Sequence, residues 1–483
     1  MRRRDALKSI GALAGAGAAS RLLLGCGDNL GAAADNGGNS PDAGGNSPDA
    51  GAPDAAVVRG ISTIVVVMME NRSYDHFLGA RGLLEGLPGD GLVAGMANPD
   101  VDDTPIAIYR ETDYCIADPP HSWNQSRVQW NEGGNDGFVR AYRAAHDGEK
   151  LLPYVMGHFA RPDIPLTWAL ADAYASCDRW FSSLLGPTWP NRMYLHSGQS
   201  GGLMANTLPP GGFDWPAIQH QMTDAGVPWA YYYNDLPFLP LFHGLPSQGF
   251  IKRFTTDFFD DAAAGTLPAA TFIDPGFTIN DDHPPHHPIR GQAFLASVYA
   301  ALAASPQWNN SLLVITYDEA GGFFDHVSPP LAADDRAKQG FDQLGFRVPT
   351  VVAGPYVKQG HVSSVVRDHT SVLAHMAAMF GLEPLTARVA AAADLSELLD
   401  AERLAAFDPA PPAEVPAIEV DESTIEAECA GDGPPNEQTD LERLADSGFF
   451  APGLDRRSEA RDILYGIGDA LERLNAGRIR RRR

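Results

Sequence analysis

At 483 residues, 44% hydrophobic and 20% charged, the chain is long enough to bury a large core and to hold two or three domains. Its formal net charge of −25 is spread along the sequence, and no long basic tract answers it. That balance argues against nucleic acid as a partner, because phosphate backbones are bound by clustered Lys and Arg.

Residues 1–26 read as an export signal. Arg2, Arg3 and Arg4 precede a small-residue apolar stretch from Ile10 to Ala19, which suits a twin-arginine-type signal and is too short for a membrane span. Leu22-Leu23-Leu24-Gly25-Cys26 resembles the lipobox of bacterial lipoproteins. The resemblance implies lipid attachment at Cys26 and a periplasmic or cell-surface lipoprotein anchored in the membrane; a chance cysteine after an ordinary signal is the alternative. Residues 27–56 are rich in Gly, Ala, Asn, Asp and Pro, with Gly-Gly-Asn-Ser-Pro-Asp-Ala repeated at Gly37 and Gly44. Such a stretch has little to bury and reads as a flexible linker.

A catalytic domain is expected over residues 57–393. Thr63–Met68 is an unbroken apolar or β-branched run, the pattern of a strand covered on both faces of a parallel sheet. Glu70 and Asn71 follow it, and Ser73 is placed to cap a short helix over Tyr74–Leu78. Ligands of open α/β sheets bind at the carboxyl ends of strands. A carboxylate and an amide oxygen at such an end mark Glu70 and Asn71 as candidate hard-metal ligands. Asp75 and His76 are assigned supporting roles in packing or hydrogen bonding.

His121 follows Pro119-Pro120 in PPHSWNQS. Further on, Gly186-Pro187-Thr188 makes a turn, and Pro190 suits the first turn of a helix through Leu195. Thr188 then sits at a helix N-terminus, where free N–H groups and the helix dipole favour an anion. A metal-bound hydroxyl there could attack phosphorus; the plainer reading is a helix cap. Arg192 could hold the anion or pair with an acid. Strands are predicted at Pro228–Tyr233, Ser311–Tyr317 and Val348–Ala353, and helices at Gly291–Ala303 and Val372–Phe380. Strands separated by helices point to an α/β sheet with helices on both faces. The segment Tyr231 to Phe250 could line an apolar groove or belong to the core.

Asn280 to Pro288 reads NDDHPPHHP, a Pro-braced segment that cannot form a regular helix and that gathers His283, His286 and His287. Three histidines within five positions, of fourteen in the chain, suggest donors to phosphate oxygens and an acid for the leaving alkoxide. His146, His158, His220 and His243 lack such company and are read as structural. The strand Ser311–Tyr317 ends in Asp318 and Glu319, and Ala320-Gly321-Gly322 permits the bend that both side chains need to reach one site. Asp325 and His326 follow on a loop. Asp368-His369-Thr370-Ser371 reads as a helix cap, with lining the site as its alternative. Three widely spaced cysteines, Cys115, Cys177 and Cys429, allow one disulfide without choosing it. Beyond residue 393, residues 394–483 comprise an acidic Pro-rich segment and an amphipathic helix over Ser458–Leu474.

The spacing Thr188-x-Pro190-x-Arg192 resembles the Cys/Ser-x-Pro-x-Arg element of sulfatases in the alkaline-phosphatase superfamily. Threonine cannot become the formylglycine those enzymes use, which favours a phosphate ester. ENRSYDHFLG, GPTWPNR, NDDHPPHHP, SPQWNNSLLVITYDEAGGFFDHVSPP and VRDHTSVL occur in the order seen in the bacterial phospholipase C and acid phosphatase phosphoesterase family. Over roughly Ser62 to Gly381 the chain is similar to that family, including non-specific phospholipase C. The resemblance implies an alkaline-phosphatase-like α/β fold, a mixed, mostly parallel sheet flanked by helices. It implies metal at Glu70, Asn71, Thr188, Asp318 and Glu319, with Thr188 as nucleophile. His121, His283, His286 and His326 would surround the phosphate, and Arg192, Asp325 and His287 would contact substrate. Ala320 and His287-Pro288 depart from the family's usual residues. The expected activity is a metal-dependent phosphoric ester hydrolase, a phospholipase C using a phosphothreonine. Its alternatives are an acid phosphatase on phosphomonoesters and a non-catalytic ligand-binding lipoprotein. Oxygen-rich ligands favour Ca²⁺ or Mg²⁺ and leave Zn²⁺ open.

Overall fold

Three of the four strands expected from the sequence come together at the centre of one eight-stranded sheet or beside it, and the fourth runs against the rest. The computed structural model describes residues 60–146, 153–429 and 456–481. The export signal, the lipobox with Cys26 and the linker therefore lie outside the described residues.

In chain order the sheet strands are β1 (Thr63–Met69), β2 (Ala175–Cys177), β3 (Trp229–Tyr233), β4 (Ile251–Arg253), β5 (Ala270–Ile273), β6 (Ser311–Tyr317), β7 (Val351–Ala353) and β8 (His361–Ser363). Their order across the sheet is β8-β2-β7-β6-β1-β5-β3-β4. All pairs are parallel except those that β7 makes with β6 and β2. The mixed, mostly parallel sheet is the one expected. β7 starts later than the apolar pattern suggested because Pro349 has no N–H to give a ladder.

β1 and β6 lie side by side from Thr63↔Ser311 to Met69↔Tyr317, and every residue of both is buried. This in-register pairing is what matters for function. It brings the two strands to an end at the same level, so that Glu70-Asn71 and Asp318-Glu319 leave the sheet together.

Four helices frame the sheet ends: α1 (Thr188–Ser197), α2 (Pro288–Ala303), α3 (Thr370–Phe380) and α4 (Arg456–Arg473). In α4, Ile463, Leu464, Ile467 and Leu471 are buried, and the helix packs on α2. β9 (Ile418–Asp421) pairs in parallel with β10 (Gly477–Arg480). The segment from Tyr231 to Phe242 is core: Tyr231, Phe238, Leu239 and Phe242 are buried. The sulfur pairing left open by the sequence joins Cys115 to Cys429 and leaves Cys177 buried and free.

Candidate active site

The two strand ends turn toward each other through unusual backbone. Asn71 adopts φ of 56°, a left-handed conformation that Asn tolerates better than most residues. Gly321 has φ of +62°, and a Cβ there would stand 2.2 Å from the Asn71 carbonyl oxygen. At Gly322 a Cβ would stand 2.5 Å from the Pro120 carbonyl. The Gly-Gly pair thus lets the β6 end press against both the β1 end and the loop carrying His121.

Hydrogen bonds then knit the ends. The Asn71 N–H donates to Asp318 Oδ1 at 3.0 Å, and the Glu319 N–H donates to the same oxygen at 2.6 Å. His369 donates through Nε2 to the Asp318 carbonyl at 2.7 Å. The expected cap of α3 therefore also braces the site, the alternative given for this segment. Thr188 is the first residue of α1, and its hydroxyl interacts with the Asp318 carboxylate. The turn before it is held by Asn191, which donates to the Gly186 and Pro187 carbonyls and accepts from the Leu184 N–H.

Four buried oxygens here make no hydrogen bond of good geometry to any described residue: Glu70 Oε2, Asn71 Oδ1, Asp318 Oδ2 and Glu319 Oε1. Buried polar atoms are nearly always satisfied, so one orphan from each of four neighbouring residues requires an explanation. Three are carboxylate oxygens, and the nearby positive groups are Arg192, 3.1 Å from Glu70, 3.0 Å from Asp274 and 3.8 Å from Asp318, and His121, 3.8 Å from Glu319. Burial, then the Asp318 carboxylate, push Glu70 well above the usual carboxylate range against the pull of Arg192. Burial pushes Glu319 up to about 8. An all-oxygen, charge-deficient donor set of this kind fits a hard divalent cation.

The histidines divide. His121 lies beside the oxygen cluster, with Nε2 3.4 Å from Asn71 Nδ2 and 3.8 Å from Glu319 Oε1. Its Nδ1–H donates to the Pro119 carbonyl at 2.7 Å, and that of His283 donates to the Pro284 carbonyl at 2.5 Å. Both rings thus turn Nε2 away from the backbone contact. Burial opposes a charge on His121, but Asp118 and Glu319 outweigh it and hold the ring up to about 9. Burial and the neighbouring His121 charge push His283 well below the usual range. Asp118, which sequence reasoning passed over, completes a trio with His121 and His283 whose ligand atoms all lie within 4.8 Å and could hold a metal ion. An Asp three residues before a His in a loop gave no periodic signal. His286 bonds through Nδ1 to Asp281 Oδ1 at 2.6 Å, and the Asp281 carbonyl accepts from the Glu70 N–H.

Other expected site residues are placed differently. Arg192 is buried beside the oxygens, donating also to the Met68 carbonyl at 3.0 Å, so it sets the charge of the cluster. Asp325 is buried and gives both oxygens to Arg347 at 2.9 and 3.2 Å. His326 bonds to Asp75 at 2.7 Å and Asp90 at 3.2 Å, leaving neither ring nitrogen for a phosphate. His287 accepts from the Ile289 N–H at the start of α2 and pairs with Glu428 at 3.1 Å. Arg192, Asp325 and His287, expected to contact substrate, and His326, expected to contact phosphate, thus each have protein partners in this structure.

A model described as the Phosphoesterase family matches residues 61–383. Non-specific phospholipase C6 of Arabidopsis thaliana is 32% identical over 376 residues, covering 70% of this chain and 72% of the relative. Phospholipase C B of Mycobacterium tuberculosis is 30% identical over 384 residues, covering 67% of this chain and 74% of the relative. Among solved structures, a protein in the alkaline phosphatase superfamily from Vibrio parahaemolyticus aligns with a TM-score of 0.37 and 9% identity over 69% of each chain.

Proposed function

This chain belongs to the phosphoesterase family and is a phosphoric ester hydrolase, and from that premise we propose that it is a phospholipase C that cleaves the glycerol–phosphate bond of phospholipids through a phosphothreonine at Thr188. The observation that carries the reading is the conjunction of Thr188, at a helix start against Asp318, with four orphaned oxygens on Glu70, Asn71, Asp318 and Glu319.

Those four residues and Thr188 would hold a divalent cation; bound there, it would lower the pKa of the Thr188 hydroxyl and neutralise phosphate charge. Thr188 Oγ1 forms a bond to phosphorus as the bond to the glycerol oxygen breaks. His121, charged at neutral pH, donates to a non-bridging oxygen, and the N-terminus of α1 stabilises the same charge. Asp281 orients His286 as the acid that protonates the leaving alkoxide. Water then splits the phosphothreonine ester and restores the hydroxyl.

The lipid preference draws on the names of the relatives, since within the Tyr231–Phe250 segment Tyr231, Phe238, Leu239 and Phe242 are core. Parallel assays on phosphatidylcholine and p-nitrophenyl phosphate test it. Faster turnover of the lipid supports phospholipase C, and turnover of the monoester alone makes the enzyme a phosphatase. The lipobox reading places the enzyme on a membrane through Cys26, and loss of labelled-lipid incorporation in Cys26→Ala tests that.

A further inference from the structure

Residues beyond 383 lie outside the family match, yet their described part is fastened to both loops that carry the site histidines. Cys429 is joined to Cys115, across 314 positions, and Cys115 stands just before Asp118 and His121. The adjacent Glu428 meets His287 Nε2 at 3.1 Å, and Glu422 pairs with Arg290 at 2.5 Å. His287 and Arg290 sit at the start of α2, directly after His283 and His286. The Tyr114 ring lies 4.7 Å from the His287 ring, closing the gap between the two loops. Ile418, Val420 and Ile425 are buried, and β9 and α4 pack along α2. One C-terminal segment therefore holds from behind the two loops that bring His121 and His283 together at a ring separation of 5.8 Å.

We propose that this segment is a positioning clamp for the histidine loops and that Cys115–Cys429 is its thiol-sensitive fastening, a proposal that rests on the phosphoesterase reading of the site. Cys115, Glu422, Glu428 and Cys429 are positioning residues that act through His121, His283 and His286. A dithiol reductant opens the clamp: its thiolate attacks one of the two sulfurs, the S–S bond breaks, and its second thiol resolves the mixed disulfide. The enzyme gains two thiols and the reductant becomes a disulfide. The 115–121 loop then keeps weaker holds, such as the bond of His146 Nε2 to the Asp118 carbonyl at 3.1 Å.

The test treats folded, oxidised, full-chain enzyme with dithiothreitol, then removes the reagent and reoxidises. We expect two additional thiols and a drop in kcat/KM of about tenfold or more, borne by kcat more than by KM, with recovery on reoxidation. Hydrogen exchange should rise in residues 113–122 and 280–291 while the sheet strands stay protected. The Cys115→Ser/Cys429→Ser double variant should sit at the reduced value and ignore the reductant. Reduced enzyme with two new thiols but unchanged kcat/KM and unchanged exchange in both loops would overturn the clamp. If the oxidised enzyme hydrolyses neither ester, the phosphoesterase reading fails, and the exchange data still judge the clamp.

Discussion

Two acidic clusters lie beyond the same two strand ends, and they are built on opposite plans. In one, Asp75, Asp90 and Asp325 meet Arg347, His326 and Arg179, and each carboxylate has a base against it. In the other, Glu70 and Asp318 share Arg192 with Asp274, Glu319 faces only His121 at 3.8 Å, and four oxygens lack a hydrogen bond to any described residue. A few residues separate Glu70 from Asp75 and Glu319 from Asp325. Asp75 and Asp325 are as buried as Glu70 and Asp318, so charge balance is what distinguishes the clusters. The balanced cluster holds the loops in place, while the deficient one is the proposed site for a cation.

Substitutions can break this contrast from either side. The largest effect is expected at Thr188. Thr188→Ala should lower kcat by about 10³-fold or more with the fold intact, because the nucleophile is lost and only one small methyl group goes with it. Steady-state kinetics beside circular dichroism checks this, and near-wild-type turnover would exclude the covalent route.

On the balanced side, Arg347→Met strands Asp75 and Asp325 without their partner. It should destabilise the protein by about 3–5 kcal/mol, measured by denaturant unfolding. The deficient side should respond in the opposite direction. In chelator-treated protein above about pH 8, where Glu319 is ionised, Glu319→Gln should raise the unfolding temperature, since it removes a buried charge that faces only His121 at 3.8 Å.

The same residue sets a pH dependence. Burial moves Glu319 from an ordinary 4.5 up to about 8 in the folded chain, so between those values the folded state binds more protons than the unfolded one. Metal-free protein should therefore lose stability as pH rises from about 4.5 to 8. Saturating divalent ion should remove or reverse that slope, because it binds the ionised carboxylate. Thermal unfolding across this range, with and without chelator, is the measurement.

A smaller loss is expected at the bend. Gly321→Ala puts a Cβ on a positive-φ residue already crowded by Asn71, and should cost about 1–3 kcal/mol with a partial loss of activity.

The legibility of these regions in the sequence follows the same physics. β1 and β6 were readable because strands buried on both faces have a continuous apolar signature, and their polar ends stood out against it. β2, β4 and β8 are only three residues each, too short to carry a period. Thr188 was found from its turn, and Asp318-Glu319 from the Gly-Gly that follows. The protein partners of Arg192, Asp325, His326 and His287 were not legible, because a sequence shows that a group is polar but not whether the fold supplies its partner. Asp118 and Asp281 were missed for the complementary reason, since each acts through a loop contact that leaves no spacing to read.

The central claim is that the bare oxygens hold a cation needed for ester hydrolysis. Metal content by mass spectrometry, on protein purified without chelator, tests it most directly when run beside turnover of phosphatidylcholine for wild type, Glu70→Gln and Asp318→Asn. At least one equivalent of divalent ion in the wild type, lost together with turnover in both folded variants, is the result expected. Full turnover by wild-type protein stripped of divalent ions would contradict it.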